Sequence, residues 1–326
     1  MRTHRIATIV LAFLALGTAF AAEGKIPILA PIVITTSGSY VLAKDLTVAS
    51  GSAITIKGNP TVVLDLAGHV IVSTAGPAIT IDRNGTQTCA SLTMRNGNIA
   101  SAGIGVTTTG FPSCNLDVRI EGVRFRNADV YVEDGNLFVS SSRFVASDLT
   151  VDANFTGVTA QIYDNAFTSG GISVLGGTSV EVRHNTIWGG AIVAQASDGW
   201  DVVNNLIEGN AITYGGIEIC PQGSEHAQGL VVARNVVWGA ILVRNASGFR
   251  LSENTTKGCT EGGAAIDVVA SARGLIEGNH TDACAYGLKI DADSVSNVYR
   301  GNIFKDSTLP VLDGGSSNVD AGGNVY

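Results

Sequence analysis

Side chains able to do chemistry are scarce in this chain, because charged residues make up only 15% of its 326 positions. The most useful set falls in the C-terminal half. Glu218, Arg244, Asp267 and Lys289 each stand between aliphatic residues, in "GIEIC", "AILVR", "AAIDV" and "YGLKI". Strict alternation predicts strands that turn these four outward while Ile217, Ile219, Ile241, Val243, Ile266, Val268, Leu288 and Ile290 face a core. A one-residue slip would exchange the two sets and bury four charges. Asp291 continues the same pattern, and the segment from Pro221 to His226 brings Glu225 and His226 to the edge of the same face. Glu218 and Asp267 could serve as acid and base of an inverting glycosidase, with water between them. Arg244 and Lys289 could hold a uronate or sulfate. The rival chemistry is β-elimination with Arg244, Lys289 or His226 as base. The alternative without chemistry is a solvated ladder of ion pairs. Upstream, Tyr131 offers a flat surface to a sugar, as do Tyr214 and Trp188. Glu133, Asp134 and Asp152 supply hard oxygen donors suited to Ca²⁺, although no asparagine–glycine loop surrounds them. No other metal and no organic cofactor is expected.

Composition narrows the partners. A net charge of −8 and a pI near 5.1, with no Lys/Arg cluster, argue against nucleic acid. The start, "MRTHR" followed by an apolar run and Ala19-Phe20-Ala21, predicts a secretory signal peptide over residues 1–21. The mature chain is then expected to be periplasmic or secreted, off the membrane and monomeric.

The elements that must position these residues are repeats. An asparagine two places before an apolar residue recurs at Asn165, Asn185, Asn205, Asn235, Asn254, Asn279, Asn302 and Asn324. His69, Gly97, Val123 and Ser142 hold the same place without the amide. Self-similarity at 19 to 30 residues means stacked coils. Within one coil, Ile172–Leu175, Val180–Arg183 and Thr186–Trp188 read as three short strands separated by turns, with no room for a helix. The expected fold is all-β, a parallel solenoid of 11–12 coils, with residues 22–50 as cap and entry strands and 51–326 as the solenoid proper. Asparagine fits the turns because it tolerates left-handed backbone angles and because its amide can bond to the next asparagine in the stack. The 30-residue step from Asn205 to Asn235 predicts a coil with an extra loop.

The asparagine ladder and the stretch from Ser37 to Ile71, "SGSYVLAKDLTVASGSAITIKGNPTVVLDLAGHVI", resemble the right-handed parallel β-helix proteins of the pectate-lyase-like superfamily. The entry stretch is similar to the opening coils of secreted β-helix proteins built from carbohydrate-binding and sugar-hydrolase repeats. This resemblance implies a right-handed helix and a polysaccharide partner along one outer face. It does not supply catalytic residues. The Asn-Thr-Asp, Asp-Asp and Arg-x-Lys set of polygalacturonases is absent. So are the Asp-Pro-His-Asp of alginate epimerases and the Arg-x-x-Pro-x-x-Arg of pectate lyases. Three readings therefore stand: a polysaccharide lyase or glycoside hydrolase, a non-catalytic glycan-binding or envelope β-helix, and an accessory factor like the β-helix proteins that serve periplasmic copper enzymes. In the stacked register Cys259 and Cys284 share one coil position, and Cys89 and Cys114 nearly share another. Two disulfides are expected there, with Cys220 left over.

Overall fold

The computed structural model describes residues 24–83, 90–109, 116–152, 158–176, 179–195, 202–203, 205–219, 227–260 and 263–326. The signal segment, Cys89, Cys114, Cys220, Glu225 and His226 lie outside these residues.

The chain winds as a right-handed parallel β-helix of about 11 turns, with no helix among the described residues. Each coil carries three strands. In one, Ala160–Tyr163 forms the first face, Ala166–Thr168 the second and Ile172–Leu175 the third. The next coil repeats them as Val180–Arg183, Thr186–Trp188 and Ile192–Gln195, each paired in parallel with its counterpart. Ile26–Ile28 and Ile32–Ile34 already pair into this stack, so the entry strands belong to the helix.

Alternation within each strand builds the core. On the first face Leu64, Met94, Ile120, Val139, Ile162, Val182, Ile207 and Val232 stand in register, all buried. On the second face the rings of Phe125, Phe144 and Phe167 stack at 4.8 and 4.5 Å. That column continues as Ile187, Ile212 and Val237 and then turns polar at Thr256 and Thr281, both fully buried. Neither hydroxyl has a hydrogen-bond partner among the described residues.

The corner between the first and second faces holds the asparagines. Asn185 shows the pattern. Its Oδ1 accepts from the backbone N–H and the Nδ2 of Asn165, both at 3.0 Å. Its Nδ2 donates back to the Ile162 carbonyl at 2.9 Å and forward to Asn210 Oδ1 at 3.1 Å. One side chain thus ties three coils and satisfies a buried donor that no strand could reach.

Two expectations change here. The ladder runs Asn165, Asn185, Asn210, Asn235, Asn254, Asn279, Asn302 and Asn324, so Asn210 and not Asn205 fills the third place. Ile207 pairs with Val182 on the first face, which puts Asn205 at the start of that face, where its Oδ1 accepts from the Val180 N–H at 2.9 Å. The coils on either side of Asn210 are 25 residues each, so the 30-residue step from Asn205 to Asn235 is not a coil. Nor does asparagine itself adopt the left-handed angle. The residue before it does, with φ near 55° at His184 and Arg234, and glycine at 209, 278 and 301.

Two stability measurements check this account. Asn210→Ala removes four hydrogen bonds to neighbouring coils and Asn205→Ala one. Asn210→Ala is expected to cost about 2–3 kcal/mol in urea unfolding and clearly more than Asn205→Ala; equal losses would contradict the ladder assignment. Thr256→Val and Thr281→Val replace unpaired buried hydroxyls by methyl groups of similar size, and each is expected to raise the urea midpoint, by about 1 kcal/mol in free energy.

Candidate functional site

The second and third faces meet at a corner built from small residues. Gly170-Gly171, Gly190-Ala191, Gly215-Gly216 and Gly239-Ala240 stack there coil on coil. A Cβ on Gly190, Gly215 or Gly239 would run into the carbonyl oxygen of Gly170, Gly190 or Gly215 respectively. The backbone therefore approaches as closely as it can, and no side chain rises from the corner. The result is the floor of a groove of about 470 Å³, lined by Gly215, Gly216, Gly239 and Ala240 and flanked by Glu218, Leu242, Arg244, Cys259, Thr260 and Asp267.

The third face supplies the chemical wall. In register along the stack come Tyr131, Thr150, Ser173, Val193, Glu218, Leu242, Asp267 and Lys289. Glu218, Asp267 and Lys289 thus share one column, as alternation requires, and all eight aliphatic neighbours are buried. Leu242 stands between Glu218 and Asp267, which places the two carboxylates two coil steps apart, about 9.6 Å along the axis. Arg244 lies two residues beyond that column, opposite Val269, and is exposed. Asp291 sits past the strand end, where its Oδ1 accepts from the Ala270 N–H and from the Ser294 hydroxyl.

Asp267 is the most constrained of these groups, only 6% exposed. Lys289 Nζ lies 3.6 Å from its Oδ2, and the Thr260 hydroxyl donates to the same oxygen at 3.4 Å. Its Oδ1 is buried with no hydrogen-bond partner among the described residues. A buried carboxylate oxygen lacking a donor is costly, and Asp267 is therefore a strained, tightly held group at the groove wall. Thr260 is held by a tight turn in which the Ala264 N–H bonds its hydroxyl at 3.2 Å. The Cys259–Cys284 disulfide, with Cα atoms 5.7 Å apart, ties that turn to the following coil. Cys89 and Cys114 lie outside the described residues.

On the second face, Trp188, Tyr214 and Trp238 stand one or two positions before the small corner residues, outside the groove lining, and are 50%, 70% and 49% exposed. Trp188 and Trp238 stand in one outward column of the second face, with Thr213 between them. Tyr214 meets Trp188 edge to face at 6.0 Å, and Lys257 Nζ lies 5.7 Å from the Trp238 ring centroid. The sequence reading had Tyr214 and Trp188 but missed Trp238. The available signal was the repeat of Trp188-Gly189-Gly190 as Trp238-Gly239-Ala240.

Beside the calcium candidates the structure places Arg83, 3% exposed, with Nη2 3.5 Å from Glu133 and Nη1 donating to the Asp134 backbone carbonyl. The cation there is a guanidinium. Burial pulls its pKa down, opposed by the charges of Glu133 and Asp134. Tyr131 donates to Asp152 Oδ2 at 2.8 Å, and burial followed by that bond pushes its phenol well above the ordinary value. The Tyr131 hydroxyl is thus tied to a carboxylate.

The fold and this groove define a parallel β-helix protein with a corner of glycine and alanine between its second and third faces. The family described as periplasmic copper-binding protein (NosD) matches residues 151–324, and the chain belongs to that family. No curated protein sequence matches the chain. Among solved structures it is similar to tailspike protein 3 of bacteriophage CBA120, at 14% identity and a TM-score of 0.48 over 92% of this chain and 56% of that one. It therefore spans little more than half that relative's length. It is also similar to the A-module of the Azotobacter vinelandii mannuronan C-5 epimerase AlgE4, at 16% identity and a TM-score of 0.45 over 94% of each chain. A third is a mannuronic acid-specific family 6 polysaccharide lyase from human gut microbiota, at 13% identity and a TM-score of 0.42 over 92% of this chain and 73% of that one.

The family description names copper, which takes imidazole, thiolate or thioether donors. The described residues do not fit it. No three His, Cys, Asp or Glu side chains among them converge on a metal-sized space. His69 lies 3.1 Å from Asp45 and His184 3.9 Å from Asp164, on different coils. Cys259 and Cys284 are bonded to each other, and Met94 is sealed in the core.

The pairing of Lys289 with Asp267 is testable by itself. Lys289→Met leaves the Asp267 carboxylate without its counter-charge and is expected to lower stability by about 1–2 kcal/mol, the partial exposure of the lysine moderating the loss. Adding Asp267→Asn should recover most of that loss in a double-mutant cycle followed by urea unfolding. Additive losses would show that the two groups do not interact.

Proposed function

We infer that the chain is an exported glycan-binding protein whose ligand lies along the groove between the second and third faces. The observation that carries this is a groove floored by glycine and alanine and walled by Glu218, Arg244 and Asp267, close in sequence to the exposed rings of Trp188, Tyr214 and Trp238 on the second face. A sugar ring has an apolar face and a rim of hydroxyls. Aromatic rings cover the first, and carboxylates and amides bond the second. Arg244 and Glu218 at the rim extend the polar contacts to a second ring of a polymer. Glu218 and Asp267 are separated by Leu242, and Asp267 is held by Lys289, which favours binding over an acid–base pair. The family match and the signal-like start support a periplasmic location.

The test is native gel electrophoresis through neutral and anionic polysaccharides. Trp238→Ala is expected to weaken retardation about tenfold, equivalent to about 1.4 kcal/mol, with an unchanged melting temperature. Undiminished retardation would end this reading. Should any polysaccharide be cleaved, Glu218→Gln or Asp267→Asn would lower turnover by about a hundredfold. Family membership favours a second reading, an accessory role with copper. Calorimetric titration with Cu²⁺ and Cu⁺ separates the two, since tight stoichiometric uptake without polysaccharide retardation supports only the latter.

A further inference from the structure

A second cleft, of about 430 Å³, lies on the first face in the N-terminal half, roughly four coils or 19 Å along the axis from the groove. Short side chains at Ser91, Thr93 and Thr159 leave space among longer ones at Asp117, Asn136, Phe138 and Gln161. The register explains the grouping. Ser91, Asp117 and Asn136 form one outward column, and Thr93, Arg119, Phe138 and Gln161 the next.

The polar groups in it are fixed in place. Asn136 Nδ2 donates to Asp117 Oδ1 at 2.9 Å, and its Oδ1 accepts from the Thr159 N–H at 3.3 Å. The Arg119 guanidinium sits 4.2 Å from the Phe138 ring centroid while its Nε donates to Glu121 at 2.5 Å. Tyr163 meets Phe138 edge-on at 6.2 Å. Its hydroxyl donates to Glu181, and burial followed by that bond pushes the phenol up to about 12. Against this frame the half-buried Gln161 side-chain amide makes no hydrogen bond among the described residues. It offers one acceptor and two donors to whatever enters, and Asp117 keeps a second carboxylate oxygen.

We propose that this cleft is a second, independent glycan site that takes a neutral, hydroxyl-rich sugar residue. Asp117 and Gln161 bond vicinal hydroxyls and Phe138 covers the apolar ring face. Charge selects the class. Asp117 and Arg119 balance each other in the lining, and the whole chain carries −8, so a polyanionic chain gains no attraction here while a neutral one loses none. The site extends the glycan reading above but rests on its own residues. Two sites on different faces of one rod let the protein bridge polymer strands and gain avidity.

The experiment is retardation in native gels containing dextran, laminarin, galactomannan or alginate, with Asp117→Ala, Gln161→Ala and Trp238→Ala compared to the parent chain. Melting temperatures confirm folding. Asp117→Ala and Gln161→Ala each are expected to weaken retardation by a neutral polysaccharide at least threefold and to leave any retardation by alginate unchanged. Trp238→Ala should leave the contribution of this cleft intact. If Trp238→Ala abolishes all binding while both cleft variants bind like the parent, the second site is refuted and the groove reading stands. If the cleft variants lose binding and Trp238→Ala does not, the groove reading fails and the second site stands. Retardation of the parent by none of the four refutes the second site.

Discussion

Everything in this molecule depends on satisfying the backbone donors at its corners. A coil of three short strands must turn three times, and each turn leaves N–H groups facing a core that contains no water. Neighbouring strands satisfy the donors within the faces, but a corner has no strand beside it. Here a side chain from the next coil reaches into the corner: asparagine down most of the length, and serine at 142 and 147 higher up. A second column does the same before the first face, where Asn297 accepts from the Gly274 N–H and Asn318 from Asn297. Once the corners are locked, coil lies on coil without drift, and every alternating strand is held in register.

Register is what turns a scaffold into a surface. Outward side chains line up in columns about 4.8 Å apart, so residues more than twenty positions apart in sequence become neighbours. The small corner residues then separate two unlike strips. On one side stand tryptophan and tyrosine, on the other a carboxylate held by lysine and threonine. The same rule makes the first-face cleft, where short and long side chains alternate between columns. Neither site required a special loop.

Local pattern revealed the strands and their inward sides almost completely, because a slip would have buried four charges. It failed where two patterns look alike. Asn205-Leu206-Ile207 and Asn210-Ala211-Ile212 both place asparagine two before isoleucine, and only the neighbouring coils decide which one turns the corner. The choice of the wrong one created an apparent long coil. Arg83 was invisible for a different reason. It lies 51 residues from Asp134, so nothing in the local sequence hints that a guanidinium lies against Glu133 and Asp134. Leu242, not Arg244, falls between Glu218 and Asp267 because the strand pairs from Ile241, a detail of pairing and not of periodicity.

The spacing between successive ladder asparagines varies from 19 to 25 residues, yet the corners they hold remain superposed. The variation is taken up on both edges of the third face: before it, where Ile266 follows Thr256 by ten positions but Ile241 follows Val237 by four, and after it, on the way to the first face. Insertions and deletions there are absorbed within one turn and do not propagate, whereas first-face Val182, Ile207, Val232 and Leu251 each precede their second-face neighbour by five positions. The molecule is therefore divided by how it can evolve: the edges that bound the third face, the groove included, are open to changes of length, and the asparagine edge accepts only changes of residue type.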